Sequence, residues 1–114
     1  MNQIILVGRL VKTPEVVTTE SGKNMSYITL AIPRSYKNEN GEYDTDFLDC
    51  TIWNGIAESV KEYCMKGDLV GVKGRLESTT IEIEGKSEKK MNIVAEKMTF
   101  LSSKSKDKEN DIEL

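Results

Sequence analysis

The chain has 114 residues, the length of one compact domain and too short for two separate cores. With 38% hydrophobic and 31% charged residues it reads as a small globular cytosolic protein. No apolar run approaches the roughly 18 residues of a membrane span, and Met1-Asn2-Gln3 leads into a strand-like segment without signal-peptide architecture. The absence of histidine removes the commonest general base, and a net charge of -3 excludes a uniformly basic coat for nucleic acid, so any such role rests on a local patch.

Ile4, Leu6, Gly8 and Leu10 alternate with Ile5, Val7 and Arg9, which predicts a first strand over 3–10 with both faces partly covered. Thr13-Pro14-Glu15 interrupts it, Val16 to Thr19 resumes it, and Glu20 to Asn24 turns the chain. A second strand runs from Ser26 to Ile32, with Ile28, Leu30 and Ile32 opposite Tyr27, Thr29 and Ala31. Pro33, lacking an N–H, is expected to stop it. Arg34 to Thr45 then reads as a polar hairpin loop turning at Asn40-Gly41 and carrying Tyr36 and Tyr43, a candidate binding finger.

In the next strand, Leu48, Cys50 and Ile52 share one face, while Phe47, Asp49, Thr51 and Trp53 share the other. Two large aromatics thus lie opposite the aliphatic set. Ile56, Val60, Tyr63 and Cys64 recur at helical spacing, with Asn54 as N-cap and Gly67 as the stop beyond Lys66. From Leu69 to Leu76, Val70, Val72, Gly74 and Leu76 face inward, and Lys73 and Arg75 make a cationic outer side. Thr79 to Ile83 and Met91 to Ala95 flank a turn at Glu84-Gly85-Lys86, and Thr99 to Leu101 closes the ordered part. Ser102 to Leu114 is almost wholly polar and reads as a short flexible tail. Cys50 and Cys64 lack CxxC spacing and any histidine partner, so they are expected to be buried, reduced small hydrophobes, with no metal and no cofactor.

About five strands, with one short helix between the third and fourth, match an all-β OB fold, a five-stranded Greek-key barrel over residues 1–101 followed by the tail 102–114. Fold alone does not give function. The runs Ile5-Leu6-Val7-Gly8-Arg9-Leu10, Thr13-Pro14-Glu15, Ile28-Thr29-Leu30-Ala31, Gly41-Glu42, Thr45-Asp46-Phe47, Ala57-Glu58, Tyr63, Lys66-Gly67 and Gly74-Arg75-Leu76 add a sharper signal. In order and spacing this series resembles the bacterial and phage single-stranded-DNA-binding protein family over residues 2 to 101.

The resemblance implies a non-enzymatic cytoplasmic protein, bacterial or phage-encoded, that wraps single-stranded DNA during replication, recombination or repair, usually as a homotetramer. It also implies stacking aromatics at Tyr36, Phe47 and Trp53. Stacking suits a sequence-tolerant binder because every base has a π-face. Lys73 and Arg75 on the strand, with Arg34, Lys37 and Lys66 at loop and helix ends, are candidate phosphate contacts. After Leu76 the family commonly carries basic residues and a further aromatic, whereas Glu77-Ser78-Thr79-Thr80-Ile81-Glu82 has neither. Weaker binding follows, with Lys86, Lys89 and Lys90 as partial compensation.

The last residues, Asp111, Ile112, Glu113 and Leu114, keep acid and a hydrophobic terminus but lack the proline and phenylalanine of the replicative members' tip; they are a candidate docking peptide for replication or repair proteins. The competing reading of the tail is a solubilising mixed-charge segment. The competing reading of the domain is an OB-fold assembly factor of replication, whose aromatic face has become a protein interface with weak DNA binding.

Overall fold

The computed structural model describes residues 1–103 and the backbone of Ile112 and Glu113. Among the described residues the elements run β1 (Ile4–Leu10), β2 (Val17–Thr18), β3 (Asn24–Lys37), β4 (Tyr43–Trp53), α1 (Asn54–Tyr63), β5 (Leu69–Ile83), β6 (Lys86–Ser102) and β7 (Ile112–Glu113). Five strands close a barrel in the order β1-β5-β6-β4-β3 and back to β1. Neighbours are antiparallel except β4 and β6, which run parallel through Cys50↔Ile93 and Thr51↔Val94. With α1 between the third and fourth barrel strands, this is the OB fold expected from the sequence.

Period-two alternation drives the closure. Leu10, Ile28, Leu30, Cys50, Ile52, Val70, Val72, Met98 and Phe100 point inward and are buried, and α1 adds Ala57 and Val60. Each fully buried large aliphatic side chain contributes roughly 1.5–3 kcal/mol against the entropy of ordering the chain. Two glycines let the backbones come close enough to close the barrel. At Arg9, β1 passes from β5 to β3, pairing with both Leu69 and Ala31. A Cβ on the neighbouring Gly8 would lie 2.7 Å from Ile32 Cγ1 and 2.9 Å from the Ala31 carbonyl oxygen. At Gly74 the register of β5 on β6 shifts, Lys73 pairing with Lys97 and Gly74 with Ala95, which leaves Glu96 as the extra residue of a bulge that bends β6.

Several local expectations need correction. Pro33 does not end the second strand: β3 continues to Lys37, because β1 has already left it and only β4 lies alongside, with the register slipping between Pro33 and Lys37. The loop expected over Arg34 to Thr45 therefore shrinks to 38–42. Its turn is held by Asn38 Oδ1, which accepts from the amides of Asn40 at 2.9 Å and Glu42 at 3.0 Å. Asn54 is not an N-cap. Trp53 occupies that position without a side-chain bond, and Asn54 instead takes a left-handed backbone at φ 54°, which asparagine tolerates. Tyr63 is exposed rather than part of the apolar helix face.

The strand expected to end at Leu76 and the separate last hairpin are one continuous ribbon. β5 and β6 run 15 and 17 residues, joined by Glu84 and Gly85 at φ 53° and 78°, the conformation of a tight type I′ turn. The ribbon beyond Leu76 projects from the barrel, as does the β3–β4 hairpin. Ser102, expected in the tail, ends β6; Thr99 and Phe100 on that strand pair with Glu113 and Ile112 of β7. The remaining tail positions, 104–111 and 114, lie outside the described residues.

Candidate nucleic-acid interface

The register of β3 on β4 builds the candidate site. Met25 faces Trp53, Tyr27 faces Thr51, Thr29 faces Asp49 and Ala31 faces Phe47. Because the intervening residues Ser26, Ile28, Leu30, Cys50 and Ile52 are the buried ones, this opposite set points out of the barrel. Phe47 keeps 64% of its surface exposed and Tyr27 58%, while Trp53 is half-buried. The face read from the alternation of residues 47–53 points outward, with Phe47 open to solvent and Trp53 half-buried at the start of α1.

A groove of about 630 Å³ opens on this face. Tyr27, Thr29, Asp49, Thr51 and Trp53 form its floor; the ribbon supplies Glu77, Thr79, Lys90, Met91 and Asn92; and Lys12 reaches it from the loop after β1. Ile93 and Val94 lie where floor and ribbon meet. Thr29 Oγ1 donates to Asp49 Oδ1 at 2.6 Å, and Asn92 Nδ2 to Thr79 Oγ1 at 3.3 Å. Two lysines and two carboxylates thus line the groove. A mixed channel of this kind, with aromatic rings beside hydrogen-bonding side chains, recognises ring faces and edges better than a dense row of like charges does.

The eight candidate cations are dispersed. Lys90 lines the groove, and Lys86 and Lys89 are exposed further along the ribbon. Arg34 is held on the β3–β4 hairpin by Asp46, to which its Nε and Nη2 donate at 3.2 and 2.9 Å, with Asp44 at 3.9 Å. That hydrogen bond holds the Asp46 carboxyl below the usual aspartate range and raises the guanidinium further. Arg75 is paired with Glu77 and, at 3.2 Å, with Glu96. Lys37 sits 5.8 Å from the ring of Tyr43, and exposed Tyr36 precedes it on the same finger. Lys66 is exposed in the loop after α1, its amide donating to Thr13 Oγ1 at 3.1 Å. Lys73 stands away from the groove, on the outer wall of β1, β5 and β6 with Ile5, Val7 and Thr99.

Of the three candidate stacking residues, Trp53 lines the groove, Phe47 continues the same face beyond it, and Tyr36 lies out on the hairpin. Sequence reasoning passes over Tyr27, Lys12 and Asp49. For Tyr27 the signal is present, since it alternates with buried Ile28. Of the candidate docking tail, Asp111 and Leu114 lie outside the described residues, and Ile112 and Glu113 contribute the backbone of β7.

Neither cysteine is a ready nucleophile. Burial pushes both free thiols, Cys50 and Cys64, up to about 11, so they stay protonated at neutral pH. Among the described residues no cluster of three histidine, cysteine or carboxylate groups is disposed to hold a metal ion, and no helix is long and apolar enough to cross a membrane.

The model of the Single-strand binding protein family matches residues 1–101. Over 111 residues the chain is 40% identical to Single-stranded DNA-binding protein B of Bacillus subtilis, covering 96% of this chain and 98% of that one. It is 43% identical over 105 residues to Single-stranded DNA-binding protein 3 of Listeria innocua, covering 91% of this chain but 66% of that protein. Single-stranded DNA-binding protein 1 of Staphylococcus aureus is 41% identical over 108 residues, 94% of this chain and 69% of that one.

Proposed function

The chain belongs to the Single-strand binding protein family, and from that premise we propose that it binds and shields single-stranded DNA in replication, recombination or repair, with no catalysis of its own. The observation that carries this reading is the outward row of Tyr27, Phe47 and Trp53, exposed at the first two and half-buried at the third, along a groove of about 630 Å³. Each base stacked on such a ring contributes roughly 1–3 kcal/mol irrespective of sequence, so a few rings suffice for useful affinity where cations are scarce. Phosphates would run past Lys12 and Lys90, with Lys86 and Lys89 extending the track along the ribbon. Tyr36 and Lys37 would meet the strand where it leaves the barrel.

The working unit is the OB-fold domain through the end of β6, and the segment beyond it, whose Ile112 and Glu113 pair with Phe100 and Thr99, meets replication or repair proteins through Asp111, Ile112, Glu113 and Leu114. The protein acts as a homo-oligomer, in our reading a tetramer, in the cytoplasm where its DNA lies. The wall around β1 supports assembly: Ile5 is 69% exposed and adjacent in the same row to exposed Val7, which leaves an apolar strip facing water. A second reading, a replication assembly factor with weak DNA binding, draws support from the acids that neutralise Arg34 and Arg75.

Trp53 is the single tryptophan and lines the groove, so its fluorescence separates the two readings. Quenching by oligo-thymidine that weakens with salt, and is reversed by competing single strands but not by duplex, supports strand binding. Absence of both quenching and an electrophoretic shift overturns it in favour of the assembly factor.

A further inference from the structure

An acid on the floor of a strand-binding groove calls for an explanation, since it repels phosphate. Asp49 is exposed there and directly opposite Thr29. Thr29 Oγ1 donates to its Oδ1 at 2.6 Å, and its Oδ2 has no hydrogen-bond partner among the described residues. Glu77, the other groove acid, is by contrast occupied by Arg75. Asp49 is thus a carboxylate steadied at one oxygen and open at the other.

Its surroundings define what the open oxygen would accept from. Tyr27 faces Thr51, so it lies diagonally between Asp49 on one side and Trp53 on the other. Diagonal cross-strand neighbours are roughly 7–8 Å apart, about the breadth of a nucleobase. A base stacked on the exposed Tyr27 ring therefore brings its edge to Asp49. Cytosine, adenine and guanine carry an exocyclic amino group on that edge, and carboxylates accept well from such groups. Thymine offers a single N–H flanked by two carbonyl oxygens, which a carboxylate repels.

We propose that Tyr27 and Asp49 form a base subsite in which Tyr27 supplies the stacking face and Asp49 accepts a hydrogen bond from an exocyclic amine, biasing an otherwise sequence-tolerant groove against thymine. This rests on the strand-binding reading above. The bias is that of one net hydrogen bond, roughly two- to tenfold in affinity.

The test measures, on the full chain, binding of end-labelled oligo-deoxycytidine and oligo-thymidine of equal length by fluorescence anisotropy at one salt concentration. Asp49→Asn keeps shape and removes the charge; Asp49→Ser is a second variant against misfolding, and thermal melts check both. The cytosine-to-thymine affinity ratio is expected to fall by roughly two- to tenfold in either variant. Tyr27→Ala is expected to weaken both oligonucleotides together, by about fivefold or more. A ratio unmoved by both Asp49 variants, or Tyr27→Ala binding like the parent, overturns the subsite while leaving strand binding intact. Failure of the parent chain to bind either oligonucleotide overturns the strand-binding reading itself.

Discussion

Replacing Lys90 by glutamine and titrating salt tests how this groove would hold DNA. A single strand releases counterions on binding with a slope of about −0.7 in log affinity against log salt per phosphate neutralised. Lys12 and Lys90 are the cations lining the groove. An oligonucleotide of about eight nucleotides, within the span of one barrel, should therefore show a slope near about −1.4, a loss of about sevenfold between roughly 50 and 200 mM salt. Were all eight candidate cations engaged, the slope would be about −5.6 and the loss over about a thousandfold. Arg34 and Arg75 already have carboxylate partners, Lys73 faces another wall, and Lys37, Lys66, Lys86 and Lys89 lie outside the groove that so short a strand fills, which is why the lower figure is expected. Anisotropy titrations at several salt concentrations give the slope, and Lys90→Gln should lower it by about 0.7. A parent slope steeper than about −3, or one that Lys90→Gln leaves unchanged, would refute the reasoning.

Gly74→Ala should destabilise the barrel, because its Cβ would fall 2.2 Å from the Val94 carbonyl oxygen, a backbone atom that cannot swing aside; a thermal melt is expected to show a loss of about 1–3 kcal/mol or more. Asp46, held below its ordinary 3.8 by the Arg34 hydrogen bond, should titrate lower than a free aspartate by carboxyl NMR and return toward that value in Arg34→Ala. Since its folded pKa is depressed, the pair's contribution is complete above the unfolded value and lost as pH falls through the folded one, so the hairpin should loosen only in strong acid. Ile5→Glu should lower the mass seen by sedimentation if the β1 wall joins subunits; an unchanged mass would move the interface elsewhere.

The alternation of aliphatic and outward residues over 47–53 is local information, so the stacking face around Phe47 and Trp53 is legible in the sequence by itself. Tyr27 does not declare itself with them, although its own parity is outward. Its membership of the site depends on the register that sets it against Thr51, which is tertiary. Lys12 is invisible for the same reason, arriving from a loop distant in sequence. Pro33 misleads because the rule against proline in a ladder weakens where a strand has a neighbour on one flank only. The cationic stripe of Lys73 and Arg75 does face outward, but a barrel has several outward walls, and parity cannot say which one faces the groove.

The parallel junction of β4 and β6, only Cys50↔Ile93 and Thr51↔Val94, is a narrow seam, and Thr51, Ile93 and Val94 all line the groove above it. Whatever lies there bridges the two lips like a suture. Breathing of the barrel and departure of its occupant then become linked events: prying β4 from β6 must shed the guest, and the guest must slow the prying. Amide exchange across residues 50–51 and 93–94 should accordingly slow when the groove is filled, more than it does along β1, and equal slowing everywhere would dissolve the link.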